Sequence, residues 1–147
     1  MTKHDAMKAY FEPKIMEMAG DLLHVNFTPE SEGSVAFITN YSGNVLKRFI
    51  RGGARKEYGF SIILTKPYSV ETDDINLEAM NFAQAFMDWV DEQNRKKNYP
   101  AFPENCRILR MENLQNMPNL AGVNPENGFA RYMVQCRIIY DEYEVLT

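Results

Sequence analysis

A long amphipathic pattern between two blocks of strand-like sequence is the feature that most constrains the fold of this 147-residue chain. From Ile75 to about Lys97, apolar residues recur at helical spacing, which predicts one helix with a buried face. Asp73 and Asp74 precede it, where a helix start favours acids, and Pro100 follows it. The buried stripe is predicted to contain Ile75, Ala79, Phe82, Phe86, Trp89 and Val90. Because helices and strands do not alternate along the chain, we expect an α+β fold with a mainly antiparallel sheet.

The N-terminal segment predicts a second helix that packs on the sheet. Met7, Phe11, Ile15 and Met18 follow one another at intervals of four, four and three residues, which lines one helical face. Pro13 interrupts this pattern, because proline removes a helical hydrogen bond and clashes with the preceding turn. Two outcomes are open: a kinked helix, or a second short helix that begins at Pro13. Gly20 ends the helical segment.

Alternating apolar and polar residues predict the strands. Residues 23–27 alternate in this way, residues 34–40 form another short strand, and "NYSGN" at 40–44 is a turn signal. In the last strand, Ala130 to Tyr140, the even-numbered residues form a core face. The odd-numbered face is mixed in polarity, so we expect it to contact another helix or subunit. The Asn-, Pro- and Gly-rich segment Asn116 to Gly128 is predicted to be a long loop.

A β-hairpin is predicted from Val45 to Tyr58. Two β-prone runs, Val45 to Arg51 and Glu57 to Thr65, flank Gly52-Gly53-Ala54. Glycine accepts positive φ, so the Gly-Gly pair indicates a hairpin tip. Strict alternation would put Lys47 and Arg51 on the face of Val45 and Phe49, with Arg48 opposite. Charge on both faces predicts that the hairpin projects from the body of the protein.

The same hairpin concentrates the positive charge of an acidic chain. The protein carries a formal net charge of -4, yet the segment Asn44 to Leu64 has five bases against one acid, Glu57. The rest of the chain therefore carries -8, which suits head-to-tail self-association through opposite charges. Two interpretations remain open: charges that keep a sheet edge soluble, or an arm that contacts an acidic partner or DNA phosphates. The candidate contact residues are Lys47, Arg48, Arg51, Arg55 and Lys56.

Composition and motifs exclude several classes of function. The chain fits a single domain, residues 1–147, and contains no apolar run of the roughly 18 residues that a membrane span needs. The N-terminus has no secretory pattern, so we expect synthesis and assembly in the cytoplasm of the host. A pI of about 5.2 does not favour general nucleic-acid binding. Phosphate-loop, dinucleotide and nucleophile-elbow motifs do not occur.

Few residues are candidates for catalysis or metal binding. His4 and His24 lie twenty positions apart, with His4 expected in a mobile terminus, and no ligand set has metal-site spacing. Cys106 and Cys136 form no Cys-x-x-Cys pair, and Cys136 falls on a core face. We therefore expect no catalytic residue, no metal and no cofactor.

The chain resembles the small tail terminator proteins, also described as minor capsid proteins, of long-tailed phages and prophages of Gram-positive bacteria. The resemblance rests on "FMDWVDEQNRKKNYPAFP" from Phe86 to Pro103, on "YMVQCRIIY" from Tyr132 to Tyr140, and on the hairpin sequence from Val45 to Leu64. It extends over nearly the whole chain, and no part of it is a catalytic signature.

This resemblance implies a structural virion protein rather than an enzyme. Such proteins form a ring, usually a hexamer, on the tail tube, stop its polymerisation and present a surface to the head–tail connector. The implied partners are other copies of the chain, the tail tube protein and the connector protein, with contact to channel DNA as a further expectation. The rival hypothesis is a small enzyme such as an acyltransferase, which requires a nucleophile or base with an orienting partner.

Overall fold

The computed structural model describes residues 2–19, 23–25, 35–67, 73–114, 119–124 and 129–144, and it confirms the α+β fold. The elements in chain order are α1 (Lys3–Ala19), β1 (Leu23–Val25), β2 (Val35–Arg48), β3 (Ala54–Pro67), α2 (Asp73–Lys96), β4 (Cys106–Asn113), β5 (Asn119–Asn124) and β6 (Phe129–Glu142). The strands form one sheet in the order β1-β2-β3-β6-β4, with β5 also paired to β6. Only β1 and β2 pair in parallel; the other described pairs are antiparallel.

Both helices pack on the same face of the sheet. Phe11 of α1 lies at the centre of an aromatic cluster, with ring centroids 5.1 Å from Phe60, 6.0 Å from Phe37 and 6.0 Å from Phe86. Such ring pairs add to the free energy gained from removing apolar surface from water. The predicted face of β6 is buried at Tyr132, Val134, Cys136, Ile138 and Tyr140; the side chain of Ala130 lies outside the described residues.

Each helix differs in one respect from its sequence pattern. α1 is a single helix that includes Pro13, whose side chain is exposed, so no second helix begins there. In α2, Ala83 and Met87 are buried with Phe86 and Val90, while Phe82 and Trp89 are only partly buried. The buried stripe is therefore rotated slightly from the predicted one. The side chains of Asp73, Asp74, Ile75 and Ala79, and with them the predicted caps, lie outside the described residues.

The predicted turn at residues 40–44 is wrong. β2 runs through it as one strand, and its pairing with β3 shifts register between Thr39 and Tyr41 and again between Tyr41 and Asn44. Asn, Ser and Gly in this segment therefore mark β-bulges, which insert unpaired residues and bend a strand without ending it. Tyr140 supports the bulged backbone, because its hydroxyl donates a hydrogen bond to the carbonyl of Ser42 at 2.9 Å.

The predicted loop from Asn116 to Gly128 contains a strand. β5 pairs with β6 from Asn119↔Met133 to Asn124↔Phe129, with a register shift between Leu120 and Gly122. Gly and Asn weakened the alternating signal, while the partner strand β6 supplies the hydrogen bonds that order this backbone. Residues 115–118 and 125–128 lie outside the described residues.

Side chains from α2 and the segment after it cover part of the outer edge of β4. Asn94 Oδ1 accepts a hydrogen bond from the backbone N–H of Met111 at 2.9 Å, and the Tyr99 hydroxyl lies 3.3 Å from the carbonyl oxygen of Leu109. Uncovered strand edges are sites of unwanted pairing between chains. These two contacts therefore make this part of β4 unsuitable for adding a strand.

Candidate functional site

The hairpin predicted around Gly52-Gly53 is confirmed. β2 and β3 are joined by a turn in which Gly52 and Gly53 have φ of 94° and 84°. The turn is closed by backbone hydrogen bonds from Phe49 N to the Gly53 carbonyl and from Gly52 N to the Phe49 carbonyl. A Cβ on Gly53 would lie 2.3 Å from the Glu142 carbonyl oxygen. Glycine is required there by both backbone conformation and space.

Only part of the hairpin stands clear of the protein. β3 pairs with β6 along its whole length, from Ala54↔Glu142 to Pro67↔Phe129, so it lies inside the sheet. The far half of β2 and the turn are the exposed parts. We call residues 47–53 the hairpin tip. Its residues 49–53 lie beyond the last pairing of β3 with β6, whereas Lys47 and Arg48 lie opposite Arg55 and Ala54, which are still paired with β6.

Two of the five predicted contact bases are held by carboxylates of β6. Arg55 donates to Asp141 through Nε at 2.8 Å and Nη2 at 3.3 Å, and Asp141 is nearly buried. This pairing raises the pKa of the Arg55 guanidinium, chiefly through its hydrogen bond to Asp141. Lys56 pairs with Glu142 on the helix-covered face, and Lys3 of α1 reaches the same carboxylate at 2.9 Å. Arg55 and Lys56 therefore fasten the hairpin to the protein.

The other three bases remain exposed at the hairpin tip. Lys47, Arg48 and Arg51 form no ion pair with any residue in the described part of the chain. The expectation that Lys47 shares a face with Val45 is wrong, because the register shifts between them: Val45 lies opposite Lys56, and Lys47 lies opposite Arg55. Lys47 and Arg48 point to opposite faces, as predicted. The three charges thus surround the tip rather than forming one row.

Apolar side chains accompany these charges. Ile50 is completely exposed, with a relative accessibility of 106%, and Val45 and Leu46 are also exposed. Phe49 stacks on Tyr143 with ring centroids 6.1 Å apart. Together with Glu144 and the tip residues, Tyr143 lines an open groove of about 540 Å³. The tip therefore presents both apolar and cationic side chains to solvent.

A polar network covers part of the helix-free face of the sheet, which sequence patterns did not reveal. Glu57 is 8% exposed and accepts hydrogen bonds from Asn44 at 2.8 Å and from Arg137 at 3.2 Å. Arg137 also donates to Glu112 at 2.5 Å, which is the first cause of the raised pKa of Arg137. Glu57, the single acid of the hairpin segment, is thus paired within the protein. Its two hydrogen bonds connect the bulged strand β2 to β6.

His4, expected near a mobile terminus, belongs to a helix and its side chain contacts the sheet. It lies in α1, with Nδ1 2.8 Å from the Tyr58 hydroxyl, which lies 2.9 Å from Thr39 Oγ1. Burial raises the pKa of Tyr58 above the ordinary value of a tyrosine hydroxyl. This arrangement can fix the hydroxyl between two partners. It ties the start of α1 to β2 and β3. His24 lies in β1, opposite Ala36; its side chain lies outside the described residues.

The thiols and acids give little support for nucleophilic or metal chemistry. Burial raises the pKa of both Cys106 and Cys136, which disfavours the reactive thiolate. No group of three or more His, Cys, Asp or Glu residues is placed to hold a metal ion within the described ranges. None of the helices in the described part of the chain is long and apolar enough to cross a membrane.

Comparison with known proteins adds no assignment: neither a protein-family model nor a curated protein matches the chain.

Proposed function

We propose that this protein is a structural virion protein, a phage tail terminator that acts by self-assembly rather than by catalysis. The observation that carries the proposal is the hairpin tip, where a fully exposed Ile50 lies beside three cations that form no ion pair with any described residue. A chain of net charge -4 offers acidic surface on its other copies for such a tip. The tip therefore suits a heterologous contact, in which different surfaces of two copies meet.

The attachment of the hairpin supports this role. The pairs Arg55–Asp141 and Lys56–Glu142 join it to β6 and, through Lys3, to α1. A tip held in this way loses little conformational freedom on binding, so more of the contact free energy appears as affinity. A heterologous contact that closes on itself generates a ring. The resemblance to tail terminators leads us to propose a hexamer on the tail tube, with the connector protein as second partner and channel DNA passing nearby.

Deletion of the gene from the phage or prophage that encodes it tests this function directly. The expected result is loss of infectious particles, with tails of irregular length and heads not joined to tails in electron micrographs. Supplying the wild-type gene from a plasmid should restore joined particles, and the empty plasmid is the control. Deleted particles with tails of normal, fixed length joined to heads would contradict the proposal.

A further inference from the structure

A groove between the two helices offers a surface that the hairpin tip could fill on another copy. It has a volume of about 580 Å³ and is lined by Lys14, Ala85, Asp88, Trp89, Asp91, Glu92 and Arg95. Trp89 is its partly buried aromatic surface, supported by Phe11 at 5.8 Å and Phe86 at 5.8 Å between ring centroids. Ala85 is exposed beside it. A supported tryptophan beside a small residue is the kind of site in which an apolar side chain binds well.

We propose that the hairpin tip of one copy inserts Ile50 against Trp89 and Ala85 of the next copy, with Arg48 and Arg51 contacting Asp88 and Asp91. This inference rests on the proposed self-assembly and names its two surfaces. The tip is exposed in a single copy, as are Ala85, Asp88 and Asp91 of the groove, and Trp89 is partly exposed, so each surface is available to a neighbour. Because the two surfaces differ, the contact is head-to-tail and can be repeated.

The charges in the groove favour this occupant. Asp88 accepts a hydrogen bond from Gln84 at 3.0 Å, and Asp91 accepts one from Asn113 at 2.9 Å; both carboxylates are exposed. These are amide partners, so both negative charges are available to incoming guanidinium groups. An arginine binds a carboxylate through parallel N–H groups, which adds direction to the attraction.

The remaining charges of the groove are partly occupied within the chain. Glu92 pairs with Lys96 at 2.9 Å, and Lys14 pairs with Glu17 at 3.3 Å. The Lys14 ammonium also lies over the Trp89 ring, 5.9 Å from its centroid. Arg95, near Glu92, is a basic residue of the groove and repels an incoming cation. The arrangement therefore directs the arginines of the tip toward Asp88 and Asp91.

The apolar side chains of the tip distinguish this partner from nucleic acid. Phosphates would attract Arg48 and Arg51, but they offer nothing to the exposed Ile50. Strand addition at β4 is disfavoured because Asn94 and Tyr99 cover part of its edge. A groove that combines carboxylates with a tryptophan surface satisfies both the charges and the isoleucine.

Complementary defects in two purified full-length variants test the proposal. The tip variant is Ile50→Ser with Arg51→Ser, and the groove variant is Asp88→Lys with Asp91→Lys. In sedimentation velocity over a concentration series, each variant alone should associate about tenfold more weakly than the wild type. An equimolar mixture should form heterodimers and no larger species, because only one intact tip can meet one intact groove. Arg107→Glu, at another exposed arginine, is the matched control and should associate like the wild type.

The outcomes separate this inference from the proposed function. Normal association of the groove variant, a mixture that forms nothing, or a wild-type chain that stays monomeric at every concentration would overturn the contact. Loss of association by the tip variant alone would assign the tip to a different surface of the neighbouring copy and would overturn the groove contact. A wild-type chain that stays monomeric but binds a 30-base-pair DNA duplex, with binding abolished in the tip variant, would identify DNA as the partner of the tip. None of these results would alter the gene-deletion test, which decides the virion role separately.

Discussion

Gly59 lies directly beneath the ring of Tyr41 on the helix-free face of the sheet. A Cβ at this position would come within 2.3 Å of the ring, whereas a Cβ on Gly43 would meet nothing closer than 3.8 Å. The β-bulge after Thr39 causes this contact between Tyr41 and Gly59. Without the extra residue, Tyr41 would lie on the same face of the sheet as Thr39. The ring covers backbone that a glycine leaves exposed.

Gly59→Ala should therefore destabilise the protein by about 1–3 kcal/mol, because the ring must move out of its place. Denaturant unfolding measures this cost. Gly43→Ala is the matched control and should change the free energy of unfolding by less than about 0.5 kcal/mol. In a Tyr41→Ala background, Gly59→Ala should lose most of its destabilising effect, because the ring that it displaces is absent. Equal costs for the two glycine substitutions would contradict the contact.

Glu142 gives the stability a pH dependence that can be assigned to one side chain. Its hydrogen bonds to Lys56 and Lys3 lower its pKa below the ordinary 4.5, although partial burial opposes the shift. The stabilisation is therefore present above pH 4.5 and is lost as the pH falls through the lower folded-state pKa. Melting temperatures measured between pH 7 and pH 3 should fall less steeply for Glu142→Gln than for the wild type. Glu104→Gln, at an exposed acid, should follow the wild-type curve.

At the scale of elements, the sequence predicted both helices, the hairpin and the last strand, because each has a clear period or a Gly-Gly turn. It did not predict that β2 continues through Asn40 and Gly43, since pairing with β3 outweighs the local turn preference. β5 was missed for the same reason, because its order depends on β6. Pro13 shows the opposite case, where tertiary packing of Phe11 and Ile15 keeps one helix despite a helix breaker.

The candidate site was also predicted only in part: its residues were identified, but not their contacts. The sequence located the five bases, but it could not separate the paired from the exposed ones, because Asp141 and Glu142, which pair with Arg55 and Lys56, each lie 86 positions further along the chain. Trp89 was assigned to the buried stripe, since a helical pattern does not reveal which edge of its stripe remains open to form a groove. The sequence pattern therefore predicted the hairpin, but not which of its bases are paired within the protein and which are exposed.

The difference between paired and exposed bases predicts different effects on stability for substitutions at two arginines of one hairpin. Arg55→Ala leaves the nearly buried Asp141 without its partner and should clearly lower the folding stability. Arg51→Ala removes an exposed side chain and should change stability by less than about 0.5 kcal/mol, while lowering the yield of joined virions. Thermal denaturation and electron microscopy of complemented deletions measure the two properties. Equal stability losses would contradict the assignment of Arg55 to the anchor and Arg51 to the contact.

At the scale of the whole molecule, charge separation links the acidic body to its basic tip. The five hairpin bases stand out against a net charge of -4, and two of them are neutralised within the chain. The remaining three are exposed, so salt screens them efficiently: the Debye length falls from about 10 Å at 0.1 M to about 3 Å at 1 M. The anchoring carboxylates are partly or nearly buried and are screened less. Assembly and folding should therefore respond differently to salt.

Raising NaCl from about 0.05 M to about 0.5 M should weaken self-association of the purified protein while leaving its free energy of unfolding nearly unchanged. Sedimentation velocity and denaturant unfolding in the same buffers give the two quantities. The tip variant should show a smaller salt effect, because Arg51 is removed and only Arg48 remains to contact a groove carboxylate. Ile50→Ala is the complementary case: it should weaken association at every salt concentration and keep the wild-type salt dependence, since it removes apolar contact and no charge. Salt-independent association of the wild type would show that Ile50 and its neighbours act without Arg48 and Arg51.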